Sequence, residues 1–175
     1  TTTPGYSWTT LLLTLWVAGI VVASCVVSGQ LIRCFILCRD SRAAVELQLA
    51  VDRLSQQVGL RRRARVLVTC SNVGPAVIGV LRPLIILPHA IVSSVSTESL
   101  DRILTHELIH IRRGDLWLGL LQTLARLIWW FHPLVHWTVR QSSRAAESCC
   151  DQESLAELNC SPREYAQCLL EILEQ

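Results

Sequence analysis

The chain opens on a long apolar run that is followed by segments of alternating polar and hydrophobic positions. No charged side chain occurs before Arg33, and 22 residues, WTTLLLTLWVAGIVVASCVVSG, fill positions 8–29. A helix of that length crosses ~30 Å of hydrocarbon. Tyr6 and Trp8 lie at its start, where aromatic rings favour the headgroup layer. The pattern predicts a transmembrane helix, with its flanks at residues 1–38, and a buried core helix is the alternative.

The remaining hydrophobic positions follow both helical and strand periods. Helical spacing predicts helices over residues 42–60, 97–113, 116–131 and 162–173, and one more from Pro133 that either continues past Ala145 or breaks before it. β-branched stretches predict strands at 66–69, 76–81 and 84–87. Ser96 is the predicted N-cap of the helix over 97–113, and Gly114 its stop. The predicted fold class is α+β, a membrane helix followed by a mostly helical domain with a small sheet over 39–175.

Arginines cluster after the apolar run and predict its orientation. They outnumber the nearby acids and are Arg33, Arg39, Arg42, Arg53, Arg61, Arg62, Arg63 and Arg65. Because cationic flanks stay cytoplasmic, the following domain should face the cytoplasm, with membrane lipid around the helix. The net charge is only +2, so one basic run beside a membrane span is weak evidence for nucleic acid, and we expect no nucleic-acid partner.

Composition excludes two further classes. Hydrophobic residues make up 51% and charged residues 17%, which is too apolar for a disordered chain. The eight cysteines form no C-x-x-C pair, and adjacent Cys149 and Cys150 do not suit a disulfide scaffold, so we expect reduced thiols. Methionine is absent, and we interpret the chain as a fragment of a longer protein.

The apolar stretch at 116–137 is ambiguous. It is long enough to enter lipid, yet Arg126 lies in its middle and Pro133 interrupts it. A core helix or a partly embedded helix therefore fits better than a complete span.

The predicted helix over 97–113 carries the first candidate chemistry, His106-Glu107-Leu108-Ile109-His110. Residues four apart on a helix are turned by only ~40° and rise ~6 Å, so both imidazoles point toward one ion. Glu107 lies beside them. H-E-x-x-H is the spacing of zinc metallopeptidases, whose catalytic zinc takes three protein ligands and keeps one position open.

Glu147 is the candidate third ligand. Asp151 lies one helical turn later on the same face, where it could accept an N–H from a ligand imidazole. A solvated acidic helix is the alternative, because Glu153 and Glu157 continue the pattern. Spacing alone leaves both interpretations open.

Five ordered segments between residues 75 and 151 share sequence and spacing with one family. They are PAVIG at 75–79, PLIILP at 83–88, HELIHIRRGD at 106–115, WFHPLV at 130–135 and Glu147-x-x-Cys150-Asp151. On these segments the chain resembles the BlaR/MecR-type integral-membrane metallopeptidases of the gluzincin group. The resemblance implies a zincin-like domain, with His106, His110 and Glu147 as zinc ligands and Glu107 as catalytic base.

The expected function is a membrane-anchored zinc endopeptidase that cuts a cytoplasmic or membrane-proximal regulatory protein, such as a transcriptional repressor, as the resemblance implies. The alternative is a non-catalytic, zinc-stabilised signal transducer, which would not need Glu107. Four residues remain candidates for the oxyanion stabiliser: His132, His136, Arg140 and Arg144. The strand beginning at Ala76 is either a substrate-binding edge or an interior strand. The oligomeric state stays open.

Overall fold

A computed structural model describes residues 7–71 and 73–158. Its elements in chain order are α1 (Trp8–Arg39), β1 (Arg42–Ala43), α2 (Val45–Gln57), β2 (Arg65–Thr69), β3 (Ala76–Ile78), β4 (Leu84–Pro88), α3 (His89–Ser94), α4 (Thr97–Arg113), α5 (Asp115–Ile128) and α6 (Pro133–Leu158). The α+β prediction is confirmed. The helix predicted at 162–173 lies outside the described residues.

α1 is the one helix among the described residues with the length and composition to cross a membrane. Its 32 residues begin at a cap in which the Ser7 side chain accepts from the Thr10 amide, and they run ten residues past the predicted end at Gly29. The most apolar stretch has a mean hydropathy of 2.4, and none of it is buried inside the domain. This exposure argues against a core helix and indicates a membrane protein.

The small sheet has the strand order β1-β2-β4-β3. β2 and β4 are parallel and central, with Val66 opposite Ile85, whereas β1 and β3 are antiparallel edge strands. Within the part of the chain that the structure describes, β3 is therefore an edge strand, which answers the question left open by the sequence. It ends at Ile78, short of the predicted position 81, because Gly79 turns the chain at φ +84°. A Cβ at Gly79 would lie 2.6 Å from the Arg82 carbonyl oxygen.

α4 is the central helix of the domain and matches its prediction to the residue. The Ser96 hydroxyl accepts from the Ser99 amide at 3.1 Å, and Gly114 ends the helix in the left-handed region at φ +80°. Leu104 and Leu108 on α4 are fully buried, as is Ile85 in the centre of the sheet. Packing of one apolar helix face against the sheet and α2 thus sets the orientation of the opposite, polar face.

Several element boundaries differ from prediction, and α6 resolves an alternative that the sequence left open. Arg42 and Ala43 pair with Val68 and Leu67 as β1 instead of joining α2, because tertiary strand pairing overrides local helical spacing. α3 was missed, since its six residues are too few for a periodic pattern. α5 starts and ends earlier than predicted, at Asp115–Ile128. α6 continues unbroken to Leu158, because no Gly or Pro follows Pro133 within it.

α5 and the start of α6 form a hairpin that packs on α1. The Trp16 indole Nε1 donates to the Ile128 carbonyl at 3.0 Å, and the Trp130 Nε1 lies 3.3 Å from the Trp16 carbonyl. Gly19 leaves room for the Trp130 ring, because a Cβ at that position would lie 1.9 Å from it.

Candidate metal centre

α4 and α6 bring the three predicted ligands to one point. The two Nε2 atoms of His106 and His110 lie 3.1 Å apart, and each lies 3.6 Å from Oε2 of Glu147. Ligand atoms bound to a tetrahedral zinc at about 2.1 Å are separated by about 3.4 Å. The spacing of the three atoms is therefore that of ligands around a single ion.

Two carboxylates orient the imidazoles. Nδ1 of His110 lies 2.8 Å from Oδ2 of Asp115, and Nδ1 of His106 lies 3.4 Å from Oδ1 of Asp151. Because a carboxylate accepts N–H bonds, both Nδ1 atoms carry the proton and both Nε2 atoms present lone pairs. Two lone pairs and the Glu147 carboxylate then face one another, an arrangement that suits a cation. The residues present fit a bound metal.

The protonation of His106 agrees with this arrangement. Burial lowers the pKa of His106, and the neighbouring His110 lowers it further. A neutral imidazole is the form that binds a metal. The predicted role of Asp151 beside a ligand imidazole is consistent with its distance from His106.

Asp115 was missed by the sequence analysis, although it ends the HELIHIRRGD segment. Gly114 turns the chain out of α4, and the next residue folds back against His110. The sequence did contain a signal for this contact. Asp115 directly follows Gly114, which ends α4, and it is five residues after His110, so it lies close to that histidine. Asp115 also accepts a hydrogen bond from the thiol of Cys150, whose Sγ lies 3.4 Å from Oδ2. Burial raises the pKa of that fully buried thiol, so it keeps its proton and donates.

Glu107 lies next to the ligands but does not join them. Its side chain is buried, with a relative exposure of 8%. Burial raises its pKa to about 7, the charge of His110 opposes this rise, and the Glu147 carboxylate adds to it. A carboxylate with a pKa near neutrality can both take up and release a proton.

A cleft of about 460 Å³ contains the ligands and Glu107. The edge strand β3 forms one wall through Ala76 and Val77, and α5 forms another through Gly119 and Gln122. Among residues 7–71 and 73–158, β3 pairs with β4 on one side only, so its other edge could accept a further extended strand.

None of the four oxyanion candidates is among the residues that line this cleft. The Nε2 of His136 donates to the Trp130 carbonyl at 2.8 Å, and Nδ1 of His132 is buried without a hydrogen-bond partner among the described residues. Arg140 and Arg144 are exposed on α6. The role of these four residues as oxyanion stabilisers stays a prediction.

The acidic residues beyond Asp151 hold α6 against α4. Arg112 binds Glu153 at 2.6 Å and Glu157 at 2.7 Å, and Arg113 binds Glu153 at 2.6 Å. Arg112 also donates to the Val58 carbonyl at 2.9 Å, which connects α2. The acidic pattern is therefore an ion-paired seam, which fixes the register of α6 and with it the position of Glu147.

Comparison with known proteins shows which family the chain belongs to. The family model described as BlaR1 peptidase M56 matches residues 2–175. The chain belongs to this family. The predicted resemblance is confirmed, and the convergent histidines and glutamate fit a metallopeptidase family.

Two curated relatives in this family are similar over part of the chain. The Regulatory protein BlaR1 of Bacillus licheniformis is 36% identical over 77 residues, which is 44% of this chain and 13% of that protein. The Methicillin resistance mecR1 protein of Staphylococcus aureus strain Mu50 is 30% identical over 90 residues, which is 51% of this chain and 15% of that protein. The matched segment is thus a small part of each relative.

Proposed function

We propose that this chain is the catalytic part of a membrane-anchored zinc endopeptidase. The single observation that carries the proposal is the convergence of His106, His110 and Glu147 on one point beside the buried Glu107. A purely structural metal site has no use for a buried carboxylate directly beside its ligands, so Glu107 favours catalysis. The cleft and the open edge of β3 supply room for an extended substrate.

Zinc, when bound, supplies a Lewis acid that makes a water more acidic and polarises the carbonyl of a peptide bond. The chain supplies the proton transfers. Glu107 accepts the proton of the attacking water and passes it to the amine nitrogen that leaves. Asp115 and Asp151 keep the two imidazoles in the tautomer that presents Nε2 to the metal.

β3 aligns the substrate. An extended peptide added antiparallel to the free edge of β3 would form backbone hydrogen bonds that do not depend on the peptide's side chains. The cleft next to Val77 would then select among substrates by their side chains. One relative is named a regulatory protein, and we extend a regulatory role to this chain. The proposed substrate is accordingly a regulatory protein, such as a transcriptional repressor.

The proposed location is the cytoplasmic face of the membrane. Arg33 and Arg39 lie in the last two turns of α1, Arg42 follows directly, and the amino-terminal half of α1 has no charge. This asymmetry supports an orientation in which the domain after α1 is cytoplasmic.

The test is Glu107→Gln in the chain reconstituted in nanodiscs, with Glu98→Gln as matched control. Glu98 lies in the first turn of the same helix and pairs with Arg102 on the surface. We expect Glu107→Gln to keep its zinc and to lose about 10²–10⁴-fold in cleavage of a fluorogenic peptide library. Glu98→Gln should cleave at the wild-type rate.

Two results would oppose the proposal. Full cleavage by Glu107→Gln would exclude the assigned base. A zinc-loaded wild-type chain that cleaves nothing while still changing conformation would favour the non-catalytic transducer.

A further inference from the structure

The hairpin of α5 and α6 carries a large exposed apolar surface. Every residue of α5 keeps part of its surface exposed. The exposed large side chains around the turn are Leu120, Leu121, Leu124, Ile128, Trp129, Phe131, Leu134 and Trp137. A continuous surface of this size is uncommon on a protein in water and marks contact with a partner or with lipid.

The hairpin tip lies far along α1 from its charged end. Trp130 packs on Gly19, which precedes Arg33, the first charge of the chain, by fourteen residues. At 1.5 Å per residue this places the tip about 20 Å from the charged end, well within a hydrocarbon layer of ~30 Å. α5 has 14 residues and is itself about 20 Å long, so it covers the same distance.

Several backbone carbonyls of the turn are hydrogen-bonded within the protein. The Ile128 carbonyl accepts from the Trp16 indole, and the Trp130 carbonyl accepts from the His136 imidazole. The Trp129 carbonyl accepts from the His132 amide. The carbonyl of His132 in turn accepts from the Val135 amide. Irregular backbone is tolerated at membrane depth only where its polar groups are paired in this way.

The charged and amide side chains of α5, together with Gly119, occupy one stripe. Asp115, Gly119, Gln122 and Arg126 recur at intervals of three and four, so they share one helix face. The first three line the cleft, and Gln122 donates to the Ser142 hydroxyl of α6 at 3.2 Å. The stripe therefore begins at the candidate metal centre and contacts α6 through Gln122, whereas Arg126 at its other end is exposed. The opposite face of α5 is apolar.

We propose that the α5–α6 hairpin is re-entrant, and that its apolar tip lies among lipid acyl chains beside α1. The hairpin enters and leaves the membrane on the same side, which keeps His106 and Glu147 together. Pro133 starts α6 at the tip, where the lack of an N–H costs nothing. The candidate metal centre then lies at the membrane surface, within reach of polypeptides close to that surface.

The test is tryptophan quenching in phosphatidylcholine vesicles that carry bromine deep in the acyl chains. The emission of Trp129 is obtained as the difference between the wild-type chain and Trp129→Phe, and that of Trp117 from Trp117→Phe. Both are half-exposed, at 47% and 46%, but Trp117 lies at the start of α5, near Gly114. Each replacement keeps an aromatic ring, and far-UV circular dichroism checks the fold.

We expect deep bromine to remove most of the emission of Trp129 and less of that of Trp117, and aqueous acrylamide to show the reverse order. If Trp129→Phe does not fold, Phe131→Trp supplies a gain of deep-bromine-sensitive emission at the same tip. Acrylamide quenching of the tip with no bromine effect would place it in water and overturn the proposal. Protection from both quenchers would also overturn it, and would indicate a protein covering the tip.

Discussion

Asp115→Asn is the sharpest test of the site, because Asp115 contacts the proposed ligand His110 without being a proposed ligand itself. Its Oδ2 lies 2.8 Å from Nδ1 of His110, and its side chain is 17% exposed. The matching contact of Asp151 with His106 is 3.4 Å, and that side chain is 43% exposed. An asparagine keeps the shape but removes the charge, and its amide can turn an N–H toward Nδ1 and move the imidazole proton to Nε2.

The expected loss follows from the hydrogen bond that is removed. Carboxylates that orient ligand imidazoles typically contribute 10–100-fold in metal affinity, or about 1.4–2.7 kcal/mol. Asp115→Asn should fall in the upper part of this range, because its bond is short and largely shielded from water. Asp151→Asn should fall at or below the lower end, because its contact is longer and more exposed.

The assay is a competition titration of zinc against a chromophoric chelator in detergent, with circular dichroism to confirm folding. Asp101→Asn is the control, since Asp101 lies on the same helix but pairs with Arg53. It should leave zinc affinity unchanged. A folded Asp115→Asn with wild-type affinity, or a larger loss for Asp151→Asn, would refute the proposed orientation of the imidazoles.

Three further changes test other parts of the structure. Glu147→Ala should retain the fold but bind zinc much more weakly than the wild-type chain, which should hold about one ion per chain by elemental analysis; equal zinc content would exclude it as a ligand. Arginines of α4 lower the pKa of Glu153, so its stabilising effect is present above the ordinary Glu pKa of about 4.3 and is lost as the pH falls through the lowered folded-state value. Glu153→Gln should therefore flatten the acid side of a thermal-unfolding profile, and an unchanged profile would show that the seam contributes nothing. Gly19→Ala should lower the unfolding free energy by about 1–3 kcal/mol, because the new Cβ meets Trp130. Gly29→Ala meets nothing within 4 Å and serves as its control in detergent melts, where equal midpoints would contradict the packing of the hairpin on α1.

Local features were predictable because their causes lie within a few residues. Ser96 and Gly114 are capping signals that act on the adjacent turn, so both ends of α4 were predicted correctly. His106 and His110 share a face whenever the segment is helical. The uncharged run before Arg33 likewise indicates a membrane helix from its length alone.

The third ligand required more than local pattern. Glu147 lies 37 residues after His110, and its spacing to Asp151 suits a solvated helix equally well. The burial of Cys150 in the core, together with the ion pairs of Arg112 with Glu153 and Glu157, turns one face of α6 toward α4. Only that choice brings the Glu147 carboxylate to the histidines.

The amino-acid sequence by itself determined the apolar span, the central helix and the pair of histidines, because hydrophobic length, caps and the helical repeat act over short distances along the chain. Only the tertiary structure decided that β3 is an edge strand, that Asp115 folds back on His110, and that the α5–α6 hairpin packs along α1. Each of these depends on which distant segments pack together. Such packing is set by burial and by pairing across the whole domain, which no short stretch of sequence specifies.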